Sequence, residues 1–338
     1  MKRNKRYLII LLFTILFVGF KSKWTFLLPH HFPTPHYNFK KEELTEHKIE
    51  LGRVLFHDPI LSKDRTISCA SCHSPYNAFA HTDHALSHGI NDSIGRRNAP
   101  ALFNLAWQKS FMWDGAINHI EVQALAPITD RREMAETIEN VPFKLNRSNK
   151  YRTLFYNAFQ DSSVNGQHLL KALAQFQLSL ISANSKYDKV KLGHEQFNAQ
   201  EKNGYELFLK NCNMCHQEPL FSNYEFVNNG LAIDSTLNDF GKISITHKSS
   251  DSLKFKTPSL RNLSYTYPYM HDGRFTKLNQ VLNHYTKGVN QSTTLALELK
   301  NGINLTANEK VDLIAFLLTL NDEEFIRNPK FQFPKNNL

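Results

Sequence analysis

The stretch "ISCASCH" at residues 67–73 has a near copy in "NCNMCH" at residues 211–216, and together they decide how the chain is read. Each contains Cys-x-x-Cys-His: Cys69, Cys72 and His73 in the first, Cys212, Cys215 and His216 in the second. The 338 residues contain four cysteines, all of them inside these motifs, so none is left for a structural disulfide. The length suits two domains of ordinary size, and a hydrophobic content of 41% is that of a globular chain. One motif per domain is the simplest arrangement.

Outward from the motifs the similarity continues. "ELGRVLF" carries Gly52, Leu55 and Phe56 ahead of the first, and "KNGYELF" carries Gly204, Leu207 and Phe208 ahead of the second. A glycine on a helix face admits a second helix or a flat ligand closely. The first unit has the longer connection, "HDPILSKDRTIS". "GQHLLKALAQFQLSLIS" places Leu169, Leu173, Phe176 and Leu180 on one helical face. Thr306 and Glu309 form a capping box before a stripe of Leu313, Leu317 and Leu320. These stripes read as core. No alternating run is long enough for a large sheet, and residues 217–262 are rich in loop formers. The polar stretch 182–198 separates the halves, giving domains at 36–190 and 191–325. The expectation is a mainly α protein of two similar, loop-rich domains.

Lys2, Arg3, Lys5 and Arg6 precede an apolar run from Tyr7 to Phe20, a targeting pattern too short for an ordinary membrane crossing. Residues 1–23 are read as a signal peptide that exports the folded part to the periplasm. An uncleaved anchor in the inner membrane is the alternative, since no clear cleavage site follows. The formal charge is +9, and the six lysines and arginines of residues 1–23 account for most of it. The remainder has no basic stripe or aromatic platform, which argues against nucleic-acid binding.

Cysteines at this spacing can bond the two vinyl groups of a haem while the adjacent histidine reaches the iron, the signature of c-type haem attachment. A four-sulfur zinc site and a redox dithiol are the competing readings. The following histidine, the repeat and the export signal favour haem, with His73 and His216 as proximal ligands. Two six-coordinate irons would make an electron carrier, and an enzyme needs an open position with acid-base groups beside it.

The strings "LGRVLFHDPILSKDRTISCASCHSP", "RRNAPALFNLAW", "FMWDGAINHIEVQALAPITDRREM", "NCNMCHQEPLFS" and "FKTPSLRNLSYTYPYMHDGRFTKLNQVLNHY" resemble the bacterial di-haem cytochrome c peroxidase family, which includes the MauG-type enzymes. The resemblance runs in order from about residue 45 to 322. It implies two cytochrome c-like domains with long loops, an N-terminal haem that binds peroxide and a C-terminal haem that transfers electrons. Over the peroxide-binding haem it implies Gln123 and Glu133, the first orienting peroxide and the second moving a proton during O–O cleavage. Trp113 corresponds to an electron relay between the haems, with Met112 at a position often aromatic. Asn98 and the carbonyls of Thr266 and Pro268 match a calcium site, hard oxygen donors for a hard cation.

Two departures matter. Where some members carry a distal histidine after the first motif, this chain has Ile90, with His81, His84 and His88 nearby. An N-terminal iron that stays five-coordinate and needs no prior reduction is the expectation, a displaced histidine the alternative. Where classical members have methionine on the second iron this chain has Tyr285, similar to the MauG type, with Met270 and His284 as rivals. A phenolate favours ferric iron and lowers the potential. The implied function is peroxide reduction to water with electrons from a small cytochrome c or cupredoxin, in a protein whose relatives are usually homodimers. A MauG-like oxidase of a protein or other substrate, and a pure electron-transfer cytochrome, are the alternatives.

Overall fold

The computed structural model describes residues 28–334. The leader proposed for residues 1–23 lies outside them, and among the described residues no helix is long and apolar enough to cross a membrane.

Two helix pairs organise the molecule. In the first half Glu46–His57 packs on Gly166–Ser179, and in the second Ala199–Asn211 packs on Ala307–Leu318. Each start is fixed by a side chain that satisfies otherwise unpaired helix N–H groups: Thr45 accepts from Lys48 N, Asn165 from His168 N, and Asn198 and Thr306 form reciprocal boxes with Glu201 and Glu309. The crossings are the same to a tenth of an ångström. A Cβ on Gly52 would lie 2.0 Å from Ala172 O and 2.8 Å from Phe176 Cβ, and one on Gly204 would lie 2.0 Å from Asp312 O and 2.8 Å from Phe316 Cβ. That is why both helices carry glycine at this point: the partner backbone occupies the space of a side chain.

Each pair closes over its own apolar core. Leu51, Leu55, Phe56, Phe79, Leu173 and Phe176 are fully enclosed in the first, and Phe208, Phe221, Leu313, Phe316 and Leu320 in the second. Tyr187, near the end of the 36–190 span, already belongs to the second core. Conversely Phe325, Ile326 and Phe331 return from the second half to pack in the first. Phe79 meets Phe325 and Phe331 at ring separations of 5.9 and 6.3 Å. Asp322 secures the return by accepting from Ser182 Oγ and from the N–H groups of Ala183 and Asn184. Strand structure among the described residues is slight: Phe226–Val227 pairs antiparallel with Phe255–Lys256.

The halves are joined by residues 97–115 on one side and 226–273 on the other. Arg97 forks to both oxygens of Asp239, at 2.6 and 2.9 Å, and reaches Asp114 at 2.6 Å. Asn98 N donates to His271 O and Lys256 N to Trp113 O, each at 2.8 Å. Gly273, at φ +68°, lets the backbone of Ala85 approach so closely that a Cβ would sit 2.2 Å from its oxygen.

Candidate haem sites and the cavity between them

Cys69–Cys72 and the residues after Cys212 are single turns, short enough to present both sulfurs and the next histidine to one side. Nδ1 of His73 donates to Phe79 O at 2.9 Å, and Nδ1 of His216 faces Phe221 O at 3.2 Å and Pro258 O at 3.1 Å. A carbonyl bond at Nδ1 fixes the tautomer and leaves Nε2 with its lone pair, the arrangement of a metal-binding imidazole. Burial lowers both imidazoles to about 4, against the opposing pull of those carbonyls, so both are neutral at physiological pH.

The four thiols behave unlike a redox dithiol. Burial raises Cys69 and Cys212 to about 12 and Cys72 to about 11, whereas reactive thiols and zinc ligands need the opposite shift. The two pairs back onto separate cores, and no group of three His, Cys, Asp or Glu side chains among the described residues could hold a metal ion. A shared four-sulfur zinc site is thereby excluded.

A cavity of about 280 Å³ runs from the second motif to the interface. Its wall holds Cys212, Cys215, His216, Met270 and Tyr285 from the second half, and Asn98, Met112, Trp113 and Gln123 from the first. Most of the lining is apolar side chains, yet Tyr224 Oη and Thr257 Oγ1 are buried in it without a hydrogen-bond partner. A flat apolar group with polar substituents, carried by thioethers at Cys212 and Cys215 and by His216 Nε2, fits such a wall.

Tyr285 owes its place to a local irregularity. The helix Leu278–Asn283 loosens into a π turn at His284–Gly288, and Tyr285 projects onto the cavity wall. Its neighbour turns away: Nε2 of His284 bonds Asn229 O at 3.0 Å. Burial raises Tyr285 to about 12, opposed by a hydrogen bond from Asn229, with the charges of Cys212 and Cys215 adding to the rise. Asn229 Nδ2 also lies 3.6 Å from Met270 Sδ, so one amide touches both candidate sixth ligands. Sequence reading missed Asn229, and no local pattern marks it.

Around the first motif, Glu133 is the informative side chain. Burial raises its carboxyl to about 7, Asp130 adds to the rise and Arg132 opposes it. Its charge adds to the burial that raises Cys69 and Cys72, so the carboxyl lies near that motif. Ile90 N donates to Glu133 O at 2.8 Å, and Gly89 is seated so tightly that a Cβ would lie 2.5 Å from Glu133 Cα. The loop with the non-ligating Ile90 is therefore the buttress of Glu133. His81, His84 and His88 stack on one another, with His81 Nε2 3.2 Å from His84 Nδ1 and the His84 and His88 rings 4.1 Å apart. Nδ1 of His88 is held at 2.8 Å by Asp92.

Gln123 is buried on the short helix Ile120–Gln123, its amide 3.9 Å from Met112 Sδ. Trp113 Nε1 donates to Asn98 O at 2.9 Å. Asn98 also donates from Nδ2 to Ala85 O at 3.0 Å, and it shares the cavity wall with Thr266 and Pro268. A second residue that sequence reading missed is Lys256. Its Nζ donates to Gln108 Oε1 at 2.7 Å and Ser110 O at 2.8 Å, bridging the halves at the cavity wall. Burial lowers it to about 7, against the charge of Asp114.

Two cysteine-histidine turns with prepared imidazoles, on paired helical cores that share one apolar cavity, define a di-haem c-type cytochrome. Residues 46–196 match the family described as di-haem cytochrome c peroxidase. The chain is 36% identical to the methylamine utilization protein MauG of Methylorubrum extorquens over 313 residues, 89% of this chain and 84% of that one. It is 33% identical to the cytochrome c peroxidase Ccp of Escherichia coli over 282 residues, 81% of this chain and 58% of that one. A solved MauG-like protein associated with microbial copper homeostasis superposes with a TM-score of 0.84 at 30% identity, covering 92% of this chain and 99% of the other. The chain belongs to the di-haem cytochrome c peroxidase and MauG family of oxidoreductases, whose two cofactors are haem c.

Proposed function

We propose that the protein is a periplasmic peroxidase that reduces hydrogen peroxide to water with electrons from a small cytochrome c or cupredoxin. The observation that carries the reading is Glu133, a buried carboxyl raised to about 7 beside the first motif. A general acid-base group works best when its pKa lies near the working pH. Haem held by Cys69, Cys72 and His73 supplies, when bound, the iron that takes up peroxide and stores oxidising equivalents. Glu133 Oε accepts the proton from the near peroxide oxygen and returns it to the departing one. The Gln123 amide orients the peroxide by hydrogen bonding. The Ile90 loop holds Glu133 in place through the bond to its carbonyl.

Trp113, pinned by its indole N–H to Asn98 O on the wall shared by both halves, is the proposed relay for electrons. At the second site His216 and Tyr285 are the side chains we assign to hold the haem iron, supported by the π turn that points Tyr285 at the cavity. Met270 is the competing ligand on the same wall. Asn98 Oδ1 with the carbonyls of Thr266 and Pro268 is proposed to hold calcium between the halves, and a homodimer is proposed as the working state.

Tyr285 favours a second reading, a MauG-like oxidase that stores both equivalents and spends them on a protein or other substrate. One experiment separates the readings: one equivalent of peroxide added to the diferric protein, followed by reduced cytochrome c or a cupredoxin. Prompt oxidation of the donor with two electrons per peroxide supports the peroxidase. A long-lived oxidised state that the donor does not discharge supports the oxidase, and two low-spin haems inert to peroxide reject both in favour of a carrier.

A further inference from the structure

The two halves share a framework beneath their proximal histidines but line it differently. Phe79, whose carbonyl holds His73, is surrounded by Phe56, Phe176, Phe325 and Phe331 at 5.8, 6.1, 5.9 and 6.3 Å between ring centres. Phe221, whose carbonyl faces His216, occupies the matching place in the second half, and there the edge-on neighbour at 4.7 Å is Tyr187. Tyr187 lies 6.5 Å from Tyr205. Tyr205 follows the crossing glycine Gly204, where the first half has Arg53 after Gly52. One half is thus backed by phenylalanine, which does not give up an electron under biological conditions. The other is backed by a chain of rings containing two tyrosines, which do so when the hydroxyl proton has an acceptor.

That acceptor is present. Tyr187 Oη donates to Glu218 Oε1, and Tyr205 Oη lies 3.0 and 3.2 Å from the two oxygens of the same carboxylate. Lys191 Nζ donates to Tyr205 Oη at 2.8 Å, and its side chain is 42% exposed. Tyr187 is enclosed and Tyr205 is half-buried, so the pair runs from the core outward. Arg261, fully buried and forked onto Asp188, fixes the Tyr187 end with its guanidinium 5.9 Å from the ring.

We propose that Tyr187 and Tyr205 form a redox-active pair that carries an oxidising equivalent from the C-terminal haem to the surface beside Lys191, where a small phenol-type donor is oxidised; this rests on the peroxide-dependent reading above. In the first step Tyr187 gives one electron to the peroxide-oxidised haem centre, its O–H bond breaks, and the proton forms an O–H bond on Glu218. Tyr205 then gives an electron to the Tyr187 radical, the Glu218 proton returns to Tyr187, and the Tyr205 proton replaces it on Glu218. A phenol at the surface gives one electron and one proton to the Tyr205 radical, becoming a phenoxyl radical, and Glu218 releases its proton to water.

The test is freeze-quench electron paramagnetic resonance of the haem-loaded protein after one equivalent of peroxide, and separately after an outer-sphere one-electron oxidant. Wild type, Tyr205→Phe and the double variant Tyr187→Phe with Tyr205→Phe are compared, with haem absorbance followed in parallel. The expected result is a tyrosyl signal in the wild type, its loss in the double variant, and in Tyr205→Phe a radical confined to Tyr187 with loss of phenol oxidation. Oxidised haem without a tyrosyl signal, or a signal of equal size in the double variant, overturns the proposal. If peroxide leaves the haems unchanged the peroxidase reading fails, and the outer-sphere oxidant still decides: a signal that the double variant loses supports the pair, and no signal rejects it.

Discussion

Replacing Glu133 by glutamine should make the protein more stable and less active, and the size of the first effect follows from one shift. The carboxyl is raised from 4.5 to about 7, chiefly by burial. A raised carboxyl holds its proton more tightly in the native state than in the unfolded chain. Its favourable contribution is therefore complete below pH 4.5 and is lost as the pH climbs through about 7. A rise of that size corresponds to about 3 kcal/mol. At pH 8 the wild type bears that penalty in full, while the neutral amide of Glu133→Gln does not. Urea unfolding of the haem-loaded proteins should show the variant ahead by about 3 kcal/mol at pH 8 and level at pH 4. The rate of reaction with peroxide should move the other way, falling about 10²–10⁴-fold as the proton carrier is lost. The wild-type rate should rise through an inflection near 7 as the carboxylate forms, and the variant should have lost that inflection. A variant with no stability gain at pH 8 would show that Glu133 is not desolvated. One that reacts as fast as the wild type would remove it from the mechanism.

Three further outcomes are expected. Gly204→Ala puts a Cβ 2.0 Å from Asp312 O, and Gly52→Ala does the same to Ala172 O, so each should lower the urea midpoint. Overpacking of about 1–3 kcal/mol, offset by about 1 kcal/mol of helix propensity, leaves a net loss of up to about 2 kcal/mol, and a raised midpoint in either variant would contradict the crossing. Tyr285→Phe should raise the reduction potential of the C-terminal haem in a spectroelectrochemical titration while Met270→Leu leaves it unchanged, and the reverse pattern would assign the ligand to Met270. Arg97→Met strands Asp114 and Asp239, whose side chains are only 10% and 8% exposed, and should cost about 3–5 kcal/mol at pH 7. Burial opposes ionisation of Asp239, but Arg97 holds its carboxyl below 3.8, so the wild type's advantage is present above that value and shrinks as the pH falls through the lower native one.

The cofactor chemistry was legible because thioether attachment needs contiguous residues: Cys69, Cys72 and His73 must lie on one turn, and so must their counterparts. The helix pairs were legible for a similar reason, since Gly52 and Gly204 mark the crossing from within a single helix. What the sequence concealed depends on distant partners. Lys256 is an ordinary lysine until Gln108 and Ser110 close around it, and Asn229 gains meaning from residues 41 and 56 positions further on. Choosing between His284 and Tyr285 required the phase of a π turn, which no 3.6-residue pattern contains. The Ile90 loop is the converse case, because sequence could say that isoleucine binds no iron but not that its backbone braces Glu133.

The return of Phe325, Ile326 and Phe331 to the first core has a consequence for how the molecule is assembled. A ribosome delivers Cys69, Cys72 and His73 long before it delivers the rings that press on Phe79, the residue whose carbonyl orients His73. Until those last rings arrive, the first half is a pocket with one wall missing. The second half waits as well, because Phe316, which meets Phe208 and Phe221 at 5.1 and 6.2 Å, is delivered long after its cysteines. Neither attachment site is therefore complete until segments far beyond its cysteines have joined it. The early site stays open longest, because its last rings come from the far end of the described chain.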